Sequence, residues 1–375
     1  MKILHVVNIH FVLPYFIGDQ FLYFKDKGYE IHVICSPSSS LKDYSTTMGF
    51  RYKEIPILRS FSVKQDIKSL VEICKYIKNN DIDIVVGHTP KGALLAMTAS
   101  KIMNISKRIY FRHGLVYETS KGLKRRILLT AEKLTSFFAT KIVNVSPSVA
   151  QQSIVDRLNS KNKQLVLGKG TCGGIDSLKK FNPEKINQNK LNALKEQFNF
   201  SDEDIIIGFC GRLVRDKGII ELVSVLEKLP THYKLLLVGD YEERDSLPPL
   251  TKKQILNNEQ IFVTGFISDD IEYYYSLMNI FVLPSYREGF PTSVLEASSL
   301  EIPVLTTTAT GCIDSIIEGK TGFFINHSAD SIITSITKLE SSCTRKTMGK
   351  AGREFVVNNF DNRLLYPIIE KELYN

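Results

Sequence analysis

The sequence has no pattern typical of a disulfide framework or a zinc site. Its six cysteines are scattered along the chain: Cys35, Cys74, Cys172, Cys210, Cys312 and Cys343. No two of them form a Cys-x-x-Cys pair, and their spacing is irregular. Disulfide-rich domains and zinc modules need paired or regularly spaced cysteines. We therefore expect a reducing compartment, in which most of these thiols are small core residues.

Long apolar stretches are also lacking. No run approaches the roughly 18 apolar residues of a membrane-spanning helix. The apolar run near the N-terminus, Lys2–Val7, is too short for a signal peptide, and no small-residue cleavage site follows it. These absences predict a cytoplasmic protein.

The net charge of +8 is not accompanied by a recognisable nucleic-acid-binding module. Such a charge suits an anionic partner, for example a nucleotide or a lipid phosphate, without choosing between them. We therefore expect no nucleic-acid partner.

A chain of 375 residues predicts two domains. Short β-branched runs alternate with helical segments from end to end, which is typical of parallel α/β proteins. The strands expected in the first half are Lys2–Val7, Glu30–Cys35, Asp83–Gly87, Lys107–Phe111, Lys141–Val145 and Gln164–Leu167. Those expected after the turn-forming stretch 168–190 are Asp204–Cys210, Lys234–Val238, Gln260–Thr264, Ile280–Leu283, Pro303–Thr306 and Phe323–Ile325. The expected helices are 63–79, 91–103, 122–139, 218–228, 293–300 and 344–357.

This pattern predicts an α/β fold in which two tandem Rossmann-like domains face each other across a cleft. We expect an N-terminal domain over residues 1–170 and a C-terminal domain over 171–357. A C-terminal helix, 358–375, is expected to pack back on the N-terminal domain. Ligands of open parallel sheets bind outside the carboxyl ends of the strands. A functional residue should therefore follow a strand.

Two glutamates with the spacing Glu288-x7-Glu296 are the most informative motif. Glu288 lies in a loop beside Gly289-Phe290, and Pro291 suits the first position of the helix that carries Glu296. Carboxylates accept hydrogen bonds from the hydroxyls of a sugar or a ribose. Either glutamate alone could be an ordinary loop or first-turn residue, but the spacing makes the pair specific.

Two cations, Arg212 and Lys217, follow the strand that ends at Cys210 and precede a helix. Free amide groups and the dipole at a helix N-terminus also favour an anion. Alternatively, both are surface residues of a β–α loop. Together with the glutamate pair, they predict a site for a sugar joined to a nucleotide diphosphate.

Three segments resemble the retaining glycosyltransferases of family 4, which have the GT-B fold. They are Gly211-Arg212…Lys217-Gly218, Glu288-Gly-Phe-Pro…Glu296 and the segment from Thr310 to Gly322. The resemblance covers most of the chain and is most specific from 205 to 325. It implies that Arg212 and Lys217 hold the diphosphate, that Glu296 binds the ribose hydroxyls and that Glu288 contacts the donor sugar.

The same resemblance implies a complete donor site without a metal. Gly265, Phe266 and Ile267 would lie near the base, and Gly289, Phe290 and Pro291 would complete the site. No cofactor is expected, because the nucleotide-sugar is the substrate. The departing phosphate would help to deprotonate the acceptor. Two Asp-x-Asp pairs, Asp81/Asp83 and Asp202/Asp204, precede strands and are interpreted as solvated turns rather than metal ligands.

Two segments of the N-terminal half also fit the family. His113-Gly114 follows a strand where members commonly have a His-Gly, with the histidine close to the donor sugar. Such an imidazole could donate a hydrogen bond to a sugar hydroxyl or orient the acceptor. His88 and Lys91 follow another strand and open a helix, so we expect them on the acceptor side. Both histidines could instead be structural loop residues.

The loop after the first strand departs from the family pattern. Many members have a Gly-Gly turn there, whereas this chain has Asn8 and His10, which we also assign to the acceptor side. Without those glycines the backbone cannot approach a ligand as closely. His5 and His32 lie inside expected strands and are interpreted as core or edge residues.

The sequence therefore predicts a retaining, metal-independent glycosyltransferase of the hexosyltransferase type. We expect a UDP-linked donor, with an N-acetylhexosamine as one candidate sugar. The expected acceptor is a carbohydrate or a polyprenyl-diphosphate-linked glycan in bacterial capsule or O-antigen synthesis. A nucleotide-sugar 2-epimerase of the same architecture and a non-catalytic sugar-nucleotide-binding subunit are the alternatives. A nicotinamide enzyme is not favoured, because no Gly-x-Gly-x-x-Gly follows the first strand.

Residues 121–138 are basic at the start and apolar afterwards. A helix of this kind can lie on an anionic membrane surface, which predicts peripheral contact with the inner leaflet. A helix that covers the sheet and has a charged outer face explains the pattern equally well.

Overall fold

The computed structural model describes residues 1–60 and 62–375, which form two compact units. Unit 1 comprises Met1–Gly173 and Arg363–Asn375, and unit 2 comprises Gly174–Asn362. Each unit has its own parallel β-sheet with helices between successive strands. The α/β class and the two Rossmann-like domains predicted from the sequence are thus confirmed.

Unit 1 contains a seven-stranded sheet in the order β3-β2-β1-β4-β5-β6-β7, and every neighbouring pair is parallel. Its strands are β1 (Lys2–Val6), β2 (Glu30–Cys35), β3 (Arg51–Glu54), β4 (Ile84–Gly87), β5 (Lys107–Arg112), β6 (Lys141–Asn144) and β7 (Gln164–Val166). β3 was not predicted, because its Arg-Tyr-Lys-Glu sequence is polar and all four residues are exposed at the sheet edge.

The helices of unit 1 include three long ones whose ends were predicted within one residue. These three are α4, α5 and α6, which pack in that order against one another. The helices in chain order are α1 (Val12–Phe16), α2 (Gln20–Asp26), α3 (Leu41–Met48), α4 (Val63–Asn79), α5 (Pro90–Ile102), α6 (Gly122–Phe138) and α7 (Pro147–Val155). The four that were not predicted are short, so their apolar periodicity spans too few turns to be recognised.

Unit 2 contains a six-stranded parallel sheet in the order β10-β9-β8-β11-β12-β13. Its strands are β8 (Ile205–Cys210), β9 (Tyr233–Val238), β10 (Ile261–Val263), β11 (Ile280–Leu283), β12 (Val304–Thr307) and β13 (Gly322–Ile325). In both units each predicted strand is present with its ends within one residue. Continuous apolar runs identified them because both faces of these sheets are covered.

The helices of unit 2 surround this sheet. They are α8 (Gln188–Gln197), α9 (Ile219–Leu226), α10 (Pro249–Asn257), α11 (Ile271–Ser276), α12 (Thr292–Ser299), α13 (Ala329–Lys338) and α14 (Ser342–Asn359). α8 begins inside a stretch that was expected to form turns. Asn187 caps this helix by accepting a 3.1 Å hydrogen bond from the Lys190 amide, so its asparagine marks a helix start.

The end of the chain belongs to unit 1. It forms α15 (Asn362–Ile369) and a π-helical turn, Glu370–Tyr374. The Tyr374 ring packs edge-on against Phe24 with centroids 4.9 Å apart, and Lys107 Nζ donates a 2.7 Å hydrogen bond to the Tyr374 carbonyl. The returning segment begins at Arg363 rather than at residue 358, because α14 continues to Asn359.

Candidate functional site

Lys217 and Glu288 form an ion pair in unit 2, although they are 71 residues apart in the chain. Lys217 ends a 3-10 turn after β8, and Glu288 lies in the loop after β11, the neighbouring strand. Glu288 Oε1 also accepts a 2.8 Å hydrogen bond from Ser285 Oγ. Both side chains are mostly buried, with 17% and 12% of their surface exposed. A cation and a carboxylate are therefore held together at the carboxyl ends of two strands.

Two glycines allow the loops around this pair to approach closely. Gly218 has a φ of +75°, and a Cβ there would lie 2.3 Å from the carbonyl oxygen of Pro284. Gly311 has a φ of +83°, and its Cβ would lie 2.4 Å from the carbonyl oxygen of Gly289. Residues with side chains rarely adopt a positive φ, and neither contact leaves room for a carbon atom. Any side chain at either position would push the loops apart.

Arg212, the second predicted cation, has a different partner. Its Nη1 contacts the carboxylate of Glu242, which lies in the loop after β9, and about half of its side chain is exposed. The structure therefore pairs each predicted cation with its own carboxylate. The sequence analysis missed Glu242, and its place shortly after a strand is the one signal that could have found it.

Glu296 lies on α12 and is half-buried. Its Oε2 accepts a 2.6 Å hydrogen bond from the hydroxyl of Tyr275, a fully buried residue of α11. Burial raises the pKa of the Glu296 carboxyl, and the hydrogen bond from Tyr275 and the positive charge of Lys180 act against that rise. One carboxylate oxygen is thus fixed by the protein, which orients the other.

The segment predicted to lie near a base follows β10, which β9 separates from β8 in the sheet. Gly265 follows β10 and forms an isolated bridge with Gly239, which follows β9. Phe266 is exposed, whereas Ile267 packs against the core of unit 2. At this edge the backbone of Gly239 and Gly265 is therefore not covered by side chains of its own, and the exposed ring of Phe266 lies next to it in the chain. Gly239 was not singled out from the sequence, although it directly follows an expected strand.

Phe290 and Pro291 support the loop that carries Glu288. The Phe290 ring is half-buried, packs against the core of unit 2 and lies 5.3 Å from the Phe360 ring, centroid to centroid. Pro291 is buried and occupies the N-cap position, since α12 begins at Thr292 rather than at the proline. Gly289 is also buried. The structure gives these residues packing contacts that fix the loop.

Three histidines of unit 1 are joined ring to ring across three neighbouring strands. His5 lies inside β1, His88 directly follows β4 and His113 directly follows β5. His5 Nδ1 lies 3.0 Å from His88 Nε2, and His88 Nδ1 lies 2.9 Å from His113 Nε2. We call these residues the histidine chain. The interpretation of His5 as an ordinary core residue was incomplete, because its ring is buried but belongs to a polar chain that reaches His113.

Burial keeps the histidine chain uncharged. It lowers the pKa of His5 and of His113 to about 3, and the pKa of His88 falls well below its ordinary value. The neighbouring histidines lower the pKa of His88 further. The Phe16 ring stacks on His113 with centroids 3.8 Å apart and planes at 9°. The His113 ring is thus neutral, with its plane fixed by Phe16 and one nitrogen fixed by His88.

The other predicted acceptor-side residues have separate surroundings. Lys91 is buried, pairs with Asp66 of α4 at 2.6 Å and donates a 3.1 Å hydrogen bond to the Ser60 carbonyl. His10 packs edge-on against Tyr44, with centroids 5.6 Å apart, and burial lowers its pKa. Asn8 is half-buried. Lys91 therefore ties α5 to α4, which is a structural contact that the sequence did not reveal.

Three carboxylates of the two Asp-x-Asp pairs have local partners. Asp202 pairs with Lys195, Asp204 accepts a 2.7 Å hydrogen bond from the Ser201 amide, and Asp83 accepts one of the same length from the Lys2 amide. Across residues 1–60 and 62–375, no group of three or more His, Cys, Asp or Glu side chains could hold a metal ion. Over the same residues, no helix is long and apolar enough to span a membrane.

The pKa of His5 predicts a pH dependence of stability. In the unfolded chain a histidine binds a proton below about pH 6.5, whereas in the folded protein the pKa is about 3. The unfolded state therefore holds more protons between these values, so stability falls as the pH is lowered through this window. Each such histidine contributes a slope of about 1.4 kcal/mol per pH unit.

We expect His5→Phe to make this dependence shallower between about pH 4 and 6. Urea denaturation of both proteins at several pH values measures the two slopes. The other titrating groups are present in both proteins, so the difference between the two slopes of unfolding free energy against pH measures the contribution of His5. Equal slopes would contradict a neutral, buried His5.

The comparisons with known proteins identify the family of the chain. Residues 192–355 match the family Glycosyl transferases group 1, and residues 2–146 match Glycosyl transferase 4-like. The capsular polysaccharide biosynthesis glycosyltransferase CapM of Staphylococcus aureus is 32% identical, with 100% of this chain and 97% of the relative covered. The UDP-Gal:alpha-D-GlcNAc-diphosphoundecaprenol alpha-1,3-galactosyltransferase of Escherichia coli is 23% identical, with 90% and 86% covered.

A solved structure supports the fold independently. Alr3699/HepE of Anabaena, crystallised in complex with UDP and glucose, superposes with a TM-score of 0.84 at 19% identity, with 100% of this chain and 99% of the other covered. The relatives favour a glycosyltransferase over the 2-epimerase and the non-catalytic subunit. The chain therefore belongs to the group 1 glycosyltransferases and has the GT-B fold, as its resemblance to the family 4 enzymes implied.

Proposed function

We propose that this glycosyltransferase moves a sugar, with retention of configuration, from a UDP-linked donor to a polyprenyl-diphosphate-linked glycan. The Lys217–Glu288 pair is the observation that carries the proposal, because it combines a diphosphate partner with a hydroxyl acceptor at one strand edge. The Escherichia coli relative is named for a UDP-Gal donor and a GlcNAc-diphosphoundecaprenol acceptor, and the Staphylococcus aureus relative for capsular polysaccharide. Bacterial capsule or O-antigen synthesis is the proposed setting, with an N-acetylhexosamine as one candidate sugar.

When the donor binds, Lys217, Arg212 and Glu288 exchange contacts within the protein for contacts with the ligand. Without a ligand, Lys217 is neutralised by Glu288 and Arg212 by Glu242. A diphosphate carries more charge than one carboxylate, so it attracts both cations. Glu288, which keeps its hydrogen bond from Ser285, then accepts hydrogen bonds from hydroxyls of the donor sugar. Before the donor binds, the ion pair with Glu288 holds Lys217 in place, so that neither buried charge is left unpaired.

The nucleoside is bound on the same edge of unit 2. Glu296 Oε2 is held by Tyr275, so Oε1 is the oxygen that accepts hydrogen bonds from the ribose hydroxyls. Gly265, Phe266 and Ile267 follow β10 and would lie beside the base, as Gly289, Phe290 and Pro291 would lie beside the sugar. Backbone amide and carbonyl groups at this edge can recognise the base by hydrogen bonds.

The chemistry follows from the charge that develops on the leaving group. As the bond between the sugar C1 and the diphosphate oxygen breaks, Lys217 and Arg212 stabilise the departing UDP without a metal. The acceptor oxygen forms its bond to C1 on the same face, and its proton passes to the departing phosphate. His113, neutral and held by His88, orients a hydroxyl by a hydrogen bond.

We also propose that α6 contacts the inner leaflet of the cell membrane, so that the enzyme acts from the cytoplasmic side. Leu123 and Phe137 are each 73% exposed, and the first two turns expose Lys124, Arg125 and Arg126. The opposite face is buried, since Glu132 pairs with Arg112 of β5. An apolar recess of about 450 Å³ lies along the exposed face, lined by Leu94, Leu123, Arg126, Ile127, Thr130, Ala131 and Leu134. Such a face suits anionic lipid and a prenyl chain.

The proposal is tested by following labelled sugar from UDP-, GDP- and ADP-linked donors in excess EDTA. We expect label to move from the UDP-sugar into a polyprenyl-diphosphate glycan, because no step requires a metal. Formation of a C2 epimer without an acceptor would overturn transfer in favour of epimerisation. Activity restored by Mn²⁺ alone would overturn the metal-independent mechanism.

A further inference from the structure

The three residues of the histidine chain lie on one face of the sheet of unit 1. His5 pairs in register with Val86, so His88 lies two residues further along its strand. Gly87 pairs with Tyr110, which places Phe111 level with His88 and His113 two residues beyond. Residues two apart point to the same face of a sheet. The chain therefore runs diagonally from the interior of β1 to the carboxyl edge, where ligands of such sheets bind.

The protons in this chain are coupled. A neutral imidazole has one N–H donor and one acceptor nitrogen, and both ring nitrogens of His88 contact other histidines. If His88 receives a proton from one neighbour, it must donate to the other. The two links therefore point in the same direction along the chain.

This coupling determines what His113 can offer a substrate. Its Nε2 is committed to His88, which leaves Nδ1 as the nitrogen for a ligand. When His88 donates to Nε2, the proton of His113 is on Nδ1, which is then a donor. When His113 donates through Nε2, Nδ1 is an acceptor. The Phe16 stack fixes the ring plane but cannot choose between these tautomers.

We infer that His88 and His5 are positioning residues, which select the tautomer of His113 and thereby fix whether its Nδ1 donates or accepts a hydrogen bond with the substrate. The inference rests on the proposed function, in which His113 orients a reacting hydroxyl. His88 acts through His113 and does not touch the substrate through its ring nitrogens, both of which are occupied. His5 is the inner end of the chain and acts through His88.

Two substitutions of His88 separate this role from simple packing. The amide of asparagine lies near the position of the imidazole Nδ1, so His88→Asn keeps a partner for His113 and loses the contact with His5. The longer His88→Gln places its amide near Nε2 and loses the contact with His113. Both variants replace the ring with an amide, so loss of packing alone would affect them similarly.

We expect the turnover number of His88→Gln to fall by about 10-fold, which is less than the roughly 100- to 10,000-fold contribution of a group that itself transfers a proton. The donor KM should change little, because no donor-site residue of unit 2 is altered. His88→Asn, which keeps a partner for His113, should lose less turnover than His88→Gln. Equal losses in the two variants, or a loss confined to KM, would overturn the inference.

A spectroscopic measurement on the full-length enzyme without substrate reports the tautomer directly. In ¹⁵N-histidine-labelled protein, the ring nitrogens of His113 should show one tautomer in the wild type. A mixture is expected in His88→Gln. His113→Gln serves only to assign the signals. If His88→Gln does not fold, His5→Phe replaces it, and a second tautomer should then appear at His113.

The two proposals fail in different ways. Spectra of His113 that are identical in wild type, His88→Gln and His5→Phe would overturn the inference. A wild-type enzyme that transfers no sugar from any donor would overturn the proposed function, whatever the spectra show.

Discussion

Lys217→Ala is expected to lower the turnover number by at least about 100-fold, because one pre-organised donor contributes roughly 2.7–4 kcal/mol to the transition state. The departing UDP gains negative charge as the sugar bond breaks, and Lys217 is held at the edge where we place that diphosphate. Its side chain is mostly buried, so bulk water screens this interaction less than at the surface. Single-turnover kinetics at saturating donor measure the chemical step apart from product release.

The control for this variant is Lys195→Ala. Lys195 also pairs with a carboxylate, but its partner Asp202 precedes β8 and is exposed. Its removal should leave turnover unchanged. Because Lys217→Ala leaves Glu288 without its cation, thermal unfolding of both variants establishes that they remain folded at the assay temperature. A turnover close to that of the wild type in Lys217→Ala would refute the role of Lys217 in stabilising the leaving group.

Glu296→Ala is expected to weaken donor affinity by about 10- to 100-fold, since a hydrogen bond to a charged group contributes roughly 1.5–3 kcal/mol. The lost group is the carboxylate oxygen that we assign to the ribose hydroxyls. Isothermal titration with the UDP-sugar measures the change in Kd. An unchanged affinity would remove the ribose role of Glu296.

Tyr275→Phe separates ligand binding from folding in that experiment. It removes the 2.6 Å hydrogen bond to Glu296 but leaves the carboxylate in place. The loss of this buried contact should lower the unfolding free energy by about 1 kcal/mol. Donor affinity should fall less than in Glu296→Ala, because the carboxylate remains although Tyr275 no longer orients it. An equal loss of affinity in Tyr275→Phe and Glu296→Ala would assign the effect to packing around α12.

The strands were predictable from the sequence because most of them are continuous apolar runs. β4 is an example, since all four of its residues are buried between helices on both faces. β3 shows the limit: it is polar and fully exposed, and it forms a strand because β2 offers an open edge. Short helices such as α1 and α3 depend on tertiary packing more than on a recognisable period.

The rule that functional residues follow strands located the candidate site, but it did not identify all the residues that contact each other there. Arg212, Lys217 and Glu288 were placed correctly after strands, since the carboxyl ends of parallel strands share one edge. The partners of Arg212 and Glu296 were not predictable. Glu242 is 30 residues from Arg212, and Tyr275 is 21 residues from Glu296. Such contacts are set by the register of strands and helices, which no local motif records.

The histidine chain illustrates the same limit. His5 looked like a core residue because it lies inside an apolar strand, and its sequence neighbours carry no sign of a polar partner. Its contact with His88, 83 residues away, appears only when β1 and β4 are paired. The interpretation of His113 as functional rested on its place after β5 and on the family resemblance.

The central claim is that unit 2 binds a UDP-sugar through Glu296 and the paired cations. Thermal shift with UDP-, GDP- and ADP-sugars, on the wild type and on Glu296→Ala, tests it most directly. We predict that UDP-sugars alone raise the melting temperature of the wild type and that Glu296→Ala loses this increase. No increase with any of these donors, or an equal increase in the variant, would contradict the claim.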